Sequence, residues 1–90
     1  MKDIDITYML KTGKMYIKNV GVRSIDIATT EKDAIKYNLY DEEDETERLE
    51  LMNRIKKDIG IVKDLLGVDK VEVIKKTVTT EYKSIDSEVL

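Results

Sequence analysis

The chain carries 19 carboxylate side chains and 16 lysines or arginines, but no histidine and no cysteine. Its reactive repertoire is therefore carboxylate, ammonium, guanidinium, phenol and hydroxyl. Without cysteine there are no disulfides, thiolate zinc sites or thiol nucleophiles. Without histidine there is no Ser–His or Cys–His relay, no imidazole metal ligand and no imidazole base near neutral pH. The zinc-deaminase signature fails for the same reason. No glycine-rich phosphate loop, Ser-x-x-Lys or Gly-x-Ser-x-Gly is present. These exclusions point to a chain without a catalytic residue, cofactor or metal site.

The most concentrated chemistry lies in residues 41–47: Asp41, Glu42, Glu43, Asp44, Glu45 and Glu47, interrupted only by Thr46. One reading is structural. Acids in the first turns of a helix complement its dipole, and Arg54, Lys56, Lys57 and Lys63 follow toward the other end. Asp44–Arg48 and Glu50–Arg54 also have the favourable i,i+4 orientation. The other reading is functional. Several carboxylates on one short segment can occupy an arginine-lined groove and release its counterions, as a nucleic-acid backbone does. The run lacks the ligand spacing and sharp-turn glycine of a calcium loop. Tyr37 and Tyr40 stand beside it and are the expected aromatic contacts, since tyrosine combines an apolar ring with a polar tip.

A second constellation is Glu81-Tyr82-Lys83, with Asp69 upstream. It resembles the core of the restriction-type nuclease motif, in which carboxylates hold a divalent metal and lysine helps activate water. A metal-dependent nuclease is thus a remote alternative, because an E-x-K triplet arises readily in a chain that is 39% charged. Lys70, Lys75, Lys76 and Lys83 lie in the same region with Tyr82 as its one aromatic residue. Lysines on an edge strand guard against unwanted strand pairing. With a net charge of −3, direct nucleic-acid binding is not expected.

The elements that must position these groups follow from periodicity. At 90 residues and 41% hydrophobic content, the chain makes one domain with a thin core under a dense ionic shell. Residues 3–10 alternate, with Ile4, Ile6, Tyr8 and Leu10 on one face, and predict a half-buried strand. Gly13 supplies a tight turn into a returning strand over residues 15–20, and a third strand covers residues 22–29. Thr30 and Asp33 suggest the start of a short helix over residues 31–38. A long helix follows from the acidic run to Leu66, with Leu49, Met52, Ile55, Ile59, Val62 and Leu66 as its stripe, widened by Leu51, Ile61 and Leu65. Gly60 suggests a close approach or a bend, and Gly67 ends the helix. Residues 68–82 predict one last strand, bulged near Val73 and Ile74.

The expected fold is thus α+β, with a mainly antiparallel sheet in the order βββ-α-α-β and one long helix on one face. Residues 1–83 form the domain and residues 84–90 a frayed tail. The N-terminus has no positively charged region before an apolar run, and no segment is long and apolar enough to span a bilayer, so a cytoplasmic location without membrane contact is expected.

In its abundance of Lys, Ile, Asp, Glu and Thr, its two alanines (Ala28 and Ala34), its size and its acidic segment 41–50, the chain resembles small accessory proteins of phages and mobile elements from AT-rich Gram-positive bacteria, some anti-CRISPR proteins among them. The likeness is one of style, and no motif aligns. It implies action by occupying a functional surface of a host enzyme, often the DNA-binding one. The leading expectation is a non-enzymatic inhibitor or regulator of a nucleic-acid enzyme, meeting a basic surface through Asp41, Glu42, Glu43, Asp44, Glu45, Glu47, Tyr37 and Tyr40. The alternative is a structural protein that self-associates, as a homodimer for example, through sheet edges or the helix stripe.

Overall fold

The computed structural model describes residues 4–77 and 82–86, the last five by their backbone. Strand β1 (Ile6–Thr12) realises the alternating pattern: Ile6, Tyr8 and Leu10 point into the core. A two-residue loop, with Gly13 at φ +59°, returns the chain into β2 (Met15–Val20), and β3 (Ile25–Ala28) pairs antiparallel outside β2. The expected meander is present.

The segment after β3 departs from expectation. Only Glu31–Asp33 turns, as a single 3-10 turn, and Tyr37–Leu39 forms strand β4 antiparallel to β1. The reason is local periodicity. Tyr37 and Leu39 are both buried with Asn38 between them, a spacing of two that suits a strand. The Lys36 ammonium donates to the carbonyls of Glu31 (2.6 Å) and Ala34 (2.8 Å), which satisfies acceptors that a continuing helix would have used. β2 pairs with β1 only near the hairpin, at Lys11–Tyr16 and Thr12–Met15. Beyond that point β4 takes the same edge of β1, and the Ile35 N–H reaches back to the Ile17 carbonyl (2.8 Å). β4 is a wedge that fills the splay between the two strands.

Helix α1 (Glu45–Leu66) starts at Asp44, whose side chain accepts from the Glu47 N–H, and ends at Gly67 with φ +64°. Its buried line is Leu51, Ile55, Ile59 and Val62, with Met52 and Leu66 half-buried. Leu49 and Leu65, expected in the stripe, are exposed at 53% and 44%. The stripe is rotated because Leu51, Ile55, Ile59 and Val62 follow one continuous three- and four-residue spacing over the sheet. The close approach expected at Gly60 is absent: a Cβ there would meet nothing within 4 Å.

The last region holds two strands in place of one. β5 (Glu72–Thr77) pairs with β1 in an unbroken register from Ile6–Thr77 to Lys11–Glu72, so the expected bulge near Val73 is absent there. β6 (Tyr82–Asp86) pairs antiparallel outside β5. Residues 84–86, expected in a frayed tail, belong to that strand. The strand path is β3-β2-β1-β5-β6, antiparallel throughout, with α1 packed on one face. The fold class is the expected one. β5 is interior, so Lys75 and Lys76 are not edge guards. Among the described residues no helix is long and apolar enough to cross a membrane.

Candidate functional site

The acidic segment is built by its own carboxylates. Asp41 Oδ1 accepts from the Glu43 N–H at 3.0 Å, and the Asp44 N–H donates to the Asp41 carbonyl at 3.2 Å, which closes a tight turn. Asp44 Oδ1 then accepts from Glu47 N at 3.1 Å and caps α1. Glu47 Oε1 turns back to the Tyr40 N–H at 3.1 Å, joining the helix's first turn to the end of β4. A fourth carboxylate comes from far away in sequence: Asp5 Oδ2 accepts from the Glu42 N–H at 2.8 Å.

The run therefore divides into two sets. Asp41, Asp44 and Glu47 are half-buried and hold the backbone; Glu42, Glu43 and Glu45 are exposed and project from a fixed frame. Exposed Glu50 follows on α1. Leu49, one helical turn after Glu45 and therefore on its face of α1, adds an exposed apolar side chain to this surface. Neither Asp5 nor Leu49 was legible as part of the site. Asp5 reads only as the polar phase of a strand, and Leu49 fits the apolar phase of the helix.

The two tyrosines separate. Tyr40 is 42% exposed and borders a notch of about 210 Å³ that it shares with Glu47, Glu50, Leu51 and Arg54. Tyr37 is 2% exposed, a core residue rather than a surface contact. Its hydroxyl donates to Asp58 Oδ2 at 2.5 Å, and the Arg54 guanidinium lies 5.8 Å from its ring centroid. Burial pushes the Tyr37 phenol well above the usual tyrosine range, the Asp58 carboxylate adds to that, and Arg54 offsets a part. Tyr8, buried under the acidic segment, is raised by burial first and then by Glu42, with Arg48 opposing. Glu42 and Arg48 thus act on the same phenol.

Asp69 is exposed in the loop before β5, Tyr82 and Lys83 lie in β6, and Glu81 is outside the described residues. Among the described residues no cluster of three or more carboxylates has the geometry to hold a metal ion. The hollow on the sheet face opposite α1, about 410 Å³, sets Asp5 and Glu31 against Lys36 and Lys76, a balanced set that favours neither anion nor cation. No protein-family model, no curated protein and no solved structure matches this chain.

Proposed function

We propose that the chain is a protein-binding inhibitor or regulator that covers the basic, nucleic-acid-binding surface of a host enzyme, such as a defence nuclease, with the acidic surface at the start of α1. The observation that carries this reading is the division of labour within residues 41–47. Three carboxylates fix the turn and the helix cap, while Glu42, Glu43 and Glu45 stand exposed on that frame. Capping and the turn account for the first set and dipole complementarity for Glu45 in the first turn of α1, which leaves Glu42 and Glu43 without a structural task. Preorganised charges lose little side-chain and backbone freedom on binding, so such a surface competes well with a flexible phosphate backbone. Exposed Leu49 and Tyr40 supply the apolar contact area that a purely ionic interface lacks. The notch beside Tyr40 sets Glu47 and Glu50 against Arg54, two acids to one base, and so stays net acidic toward a lysine or arginine from the partner.

The test is a pull-down from a low-GC Gram-positive lysate with the tagged chain, repeated with added nucleic acid and with the variant E42Q/E43Q/E45Q. A nucleic-acid enzyme that is retained by the native chain, displaced by its own nucleic-acid substrate and lost with the variant supports the reading. A partner indifferent to both changes contradicts it.

A further inference from the structure

Among the described residues the sheet path ends at β3 and at β6. β3 pairs only with β2, so its outer side presents a row of main-chain N–H and C=O groups. Proteins commonly blunt such an edge with lysine, proline, a bulge or a covering element. The sequence Ile25-Asp26-Ile27-Ala28 has neither lysine nor proline, and the register irregularity of this pair lies on its partner, between Ile17 and Asn19. Apolar side chains are exposed around the edge instead: Val22 at 90% and Ile27 at 48%. A hollow of about 450 Å³ lies between the β2–β3 connection and α1, walled by Val20, Val22 and Ile61 with Lys57 and Asp58 beside them.

Strand parity and charge then select the occupant. Ile25 packs against the core on the helix side, and Ile27 sits opposite the core residue Ile17, so both belong to the helix-facing phase; Asp26 and Ala28 belong to the other. A second copy added antiparallel about a two-fold axis perpendicular to the sheet keeps the phases matched only when even-numbered residues meet even and odd meet odd. Two such registers centre on this strand. One sets Asp26 opposite the partner's Asp26, like charges directly across the ladder, which is unfavourable. The other sets Ile27 opposite the partner's Ile27 and Asp26 opposite the partner's Ala28. It joins the exposed isoleucines, and it brings Arg23, just before the strand, toward the turn Glu31-Lys32-Asp33 that follows it, which carries a net charge of −1. Apolar self-complementarity at the axis and opposite charges at the ends make this edge fit its own copy.

We propose that β3 is a homodimerisation edge, in which two chains pair antiparallel through Ile27 to form one continuous sheet with both helices on the same face. The ladder is only four residues long, so the dimer is weak, with a dissociation constant on the order of 1–100 μM. It uses residues apart from the acidic surface and stands or falls independently of the proposed function.

Sedimentation equilibrium of the full chain over a wide concentration range is the first test. The expected mass rises from the 10.4 kDa monomer toward twice that value. Ile27→Lys places like charges across the axis and is expected to abolish the rise while leaving the circular dichroism spectrum and melting temperature of the monomer unchanged. Cross-linking supplies a second, independent reading, because the chain has no cysteine. Under mild oxidation Ile27→Cys is expected to form disulfide-linked dimers. Asp26→Cys is not, because diagonal neighbours in this register stand about 7–8 Å apart, at or beyond disulfide reach. A chain that stays monomeric to millimolar concentration overturns the proposal. So does a dimer that survives Ile27→Lys, or equal cross-linking of the two cysteine variants.

Discussion

The hydroxyl of Tyr37 donates a 2.5 Å hydrogen bond to Asp58 Oδ2, tying the wedge strand β4 to the middle of α1 across 21 residues of sequence. The ring is buried, and the acceptor is a half-buried carboxylate on the helix flank. This bond fixes the helix over the strand that leads directly into Tyr40 and the acidic turn. The geometry of the candidate surface therefore depends on a contact some distance from it.

Tyr37→Phe is accordingly expected to destabilise the fold by about 1.5–3 kcal/mol at neutral pH, the range for a hydrogen bond to a charged acceptor. The pH dependence has a definite sign. Tyr37 and Tyr8 have phenol pKa values raised in the folded state, so the folded chain keeps protons that the unfolded chain releases. Their contribution is complete below the unfolded tyrosine pKa of about 10 and is lost as pH rises beyond it. Urea unfolding at successive alkaline pH values should show stability falling above about pH 10, with a shallower fall in Tyr37→Phe. Equal slopes would contradict the assignment.

Asp44 and Glu43 are neighbours in the same acidic run with different expected costs. Asp44→Ala removes the helix cap and should lower stability by about 1 kcal/mol. Glu43→Gln should leave stability within about 0.5 kcal/mol, as for exposed positions without a structural partner. Thermal melts of the two variants distinguish a frame of fixed carboxylates from a uniform acidic helix start.

The glycines separate in the same way. Gly60 is exposed, with open space where a side chain would sit, so Gly60→Ala should stabilise the chain by about 1 kcal/mol through helix propensity alone. Gly67, at φ +64°, is in the left-handed region, and Gly67→Ala should cost about 1 kcal/mol. Opposite shifts in denaturation midpoint are the expected outcome.

Met9 is fully buried, yet it lies outside the helix-side cluster and is one of the residues around the hollow opposite α1. Met9→Ala should cost about 2–5 kcal/mol if that side is packed as tightly as the helix side. A loss below about 1 kcal/mol would mean that the region collapses around the smaller residue.

Much of the architecture is written in local sequence. The alternation of Ile6, Tyr8 and Leu10, the left-handed glycines at 13 and 67 and the three- and four-residue spacing of α1 each specify an element by periodicity or backbone freedom. The errors share a physical origin: they concern relations between segments distant in sequence. Residues 31–39 have enough helical character to suggest a helix, but two buried side chains spaced by two and an open edge on β1 favour a strand. The sequence between β5 and β6, Val78-Thr79-Thr80-Glu81, contains no glycine, proline, asparagine or aspartate to signal that two strands are present. Within the candidate surface, the run 41–47 was conspicuous, but its division into framing and exposed carboxylates was not. That division depends on Tyr40, on Asp5 and on which carboxylate accepts from which N–H. The burial of Tyr37 was likewise invisible, because a tyrosine beside an acidic run fits a core edge and an interface equally well.

The most direct measurement of the central claim is the affinity of the chain for its captured partner as a function of salt, compared between the native protein and E42Q/E43Q/E45Q. If exposed carboxylates replace phosphates on a basic surface, native affinity should fall steeply and log-linearly with salt, and the variant should bind at least tenfold more weakly at low salt with a shallower slope. Identical affinity and slope for the two proteins would contradict the account.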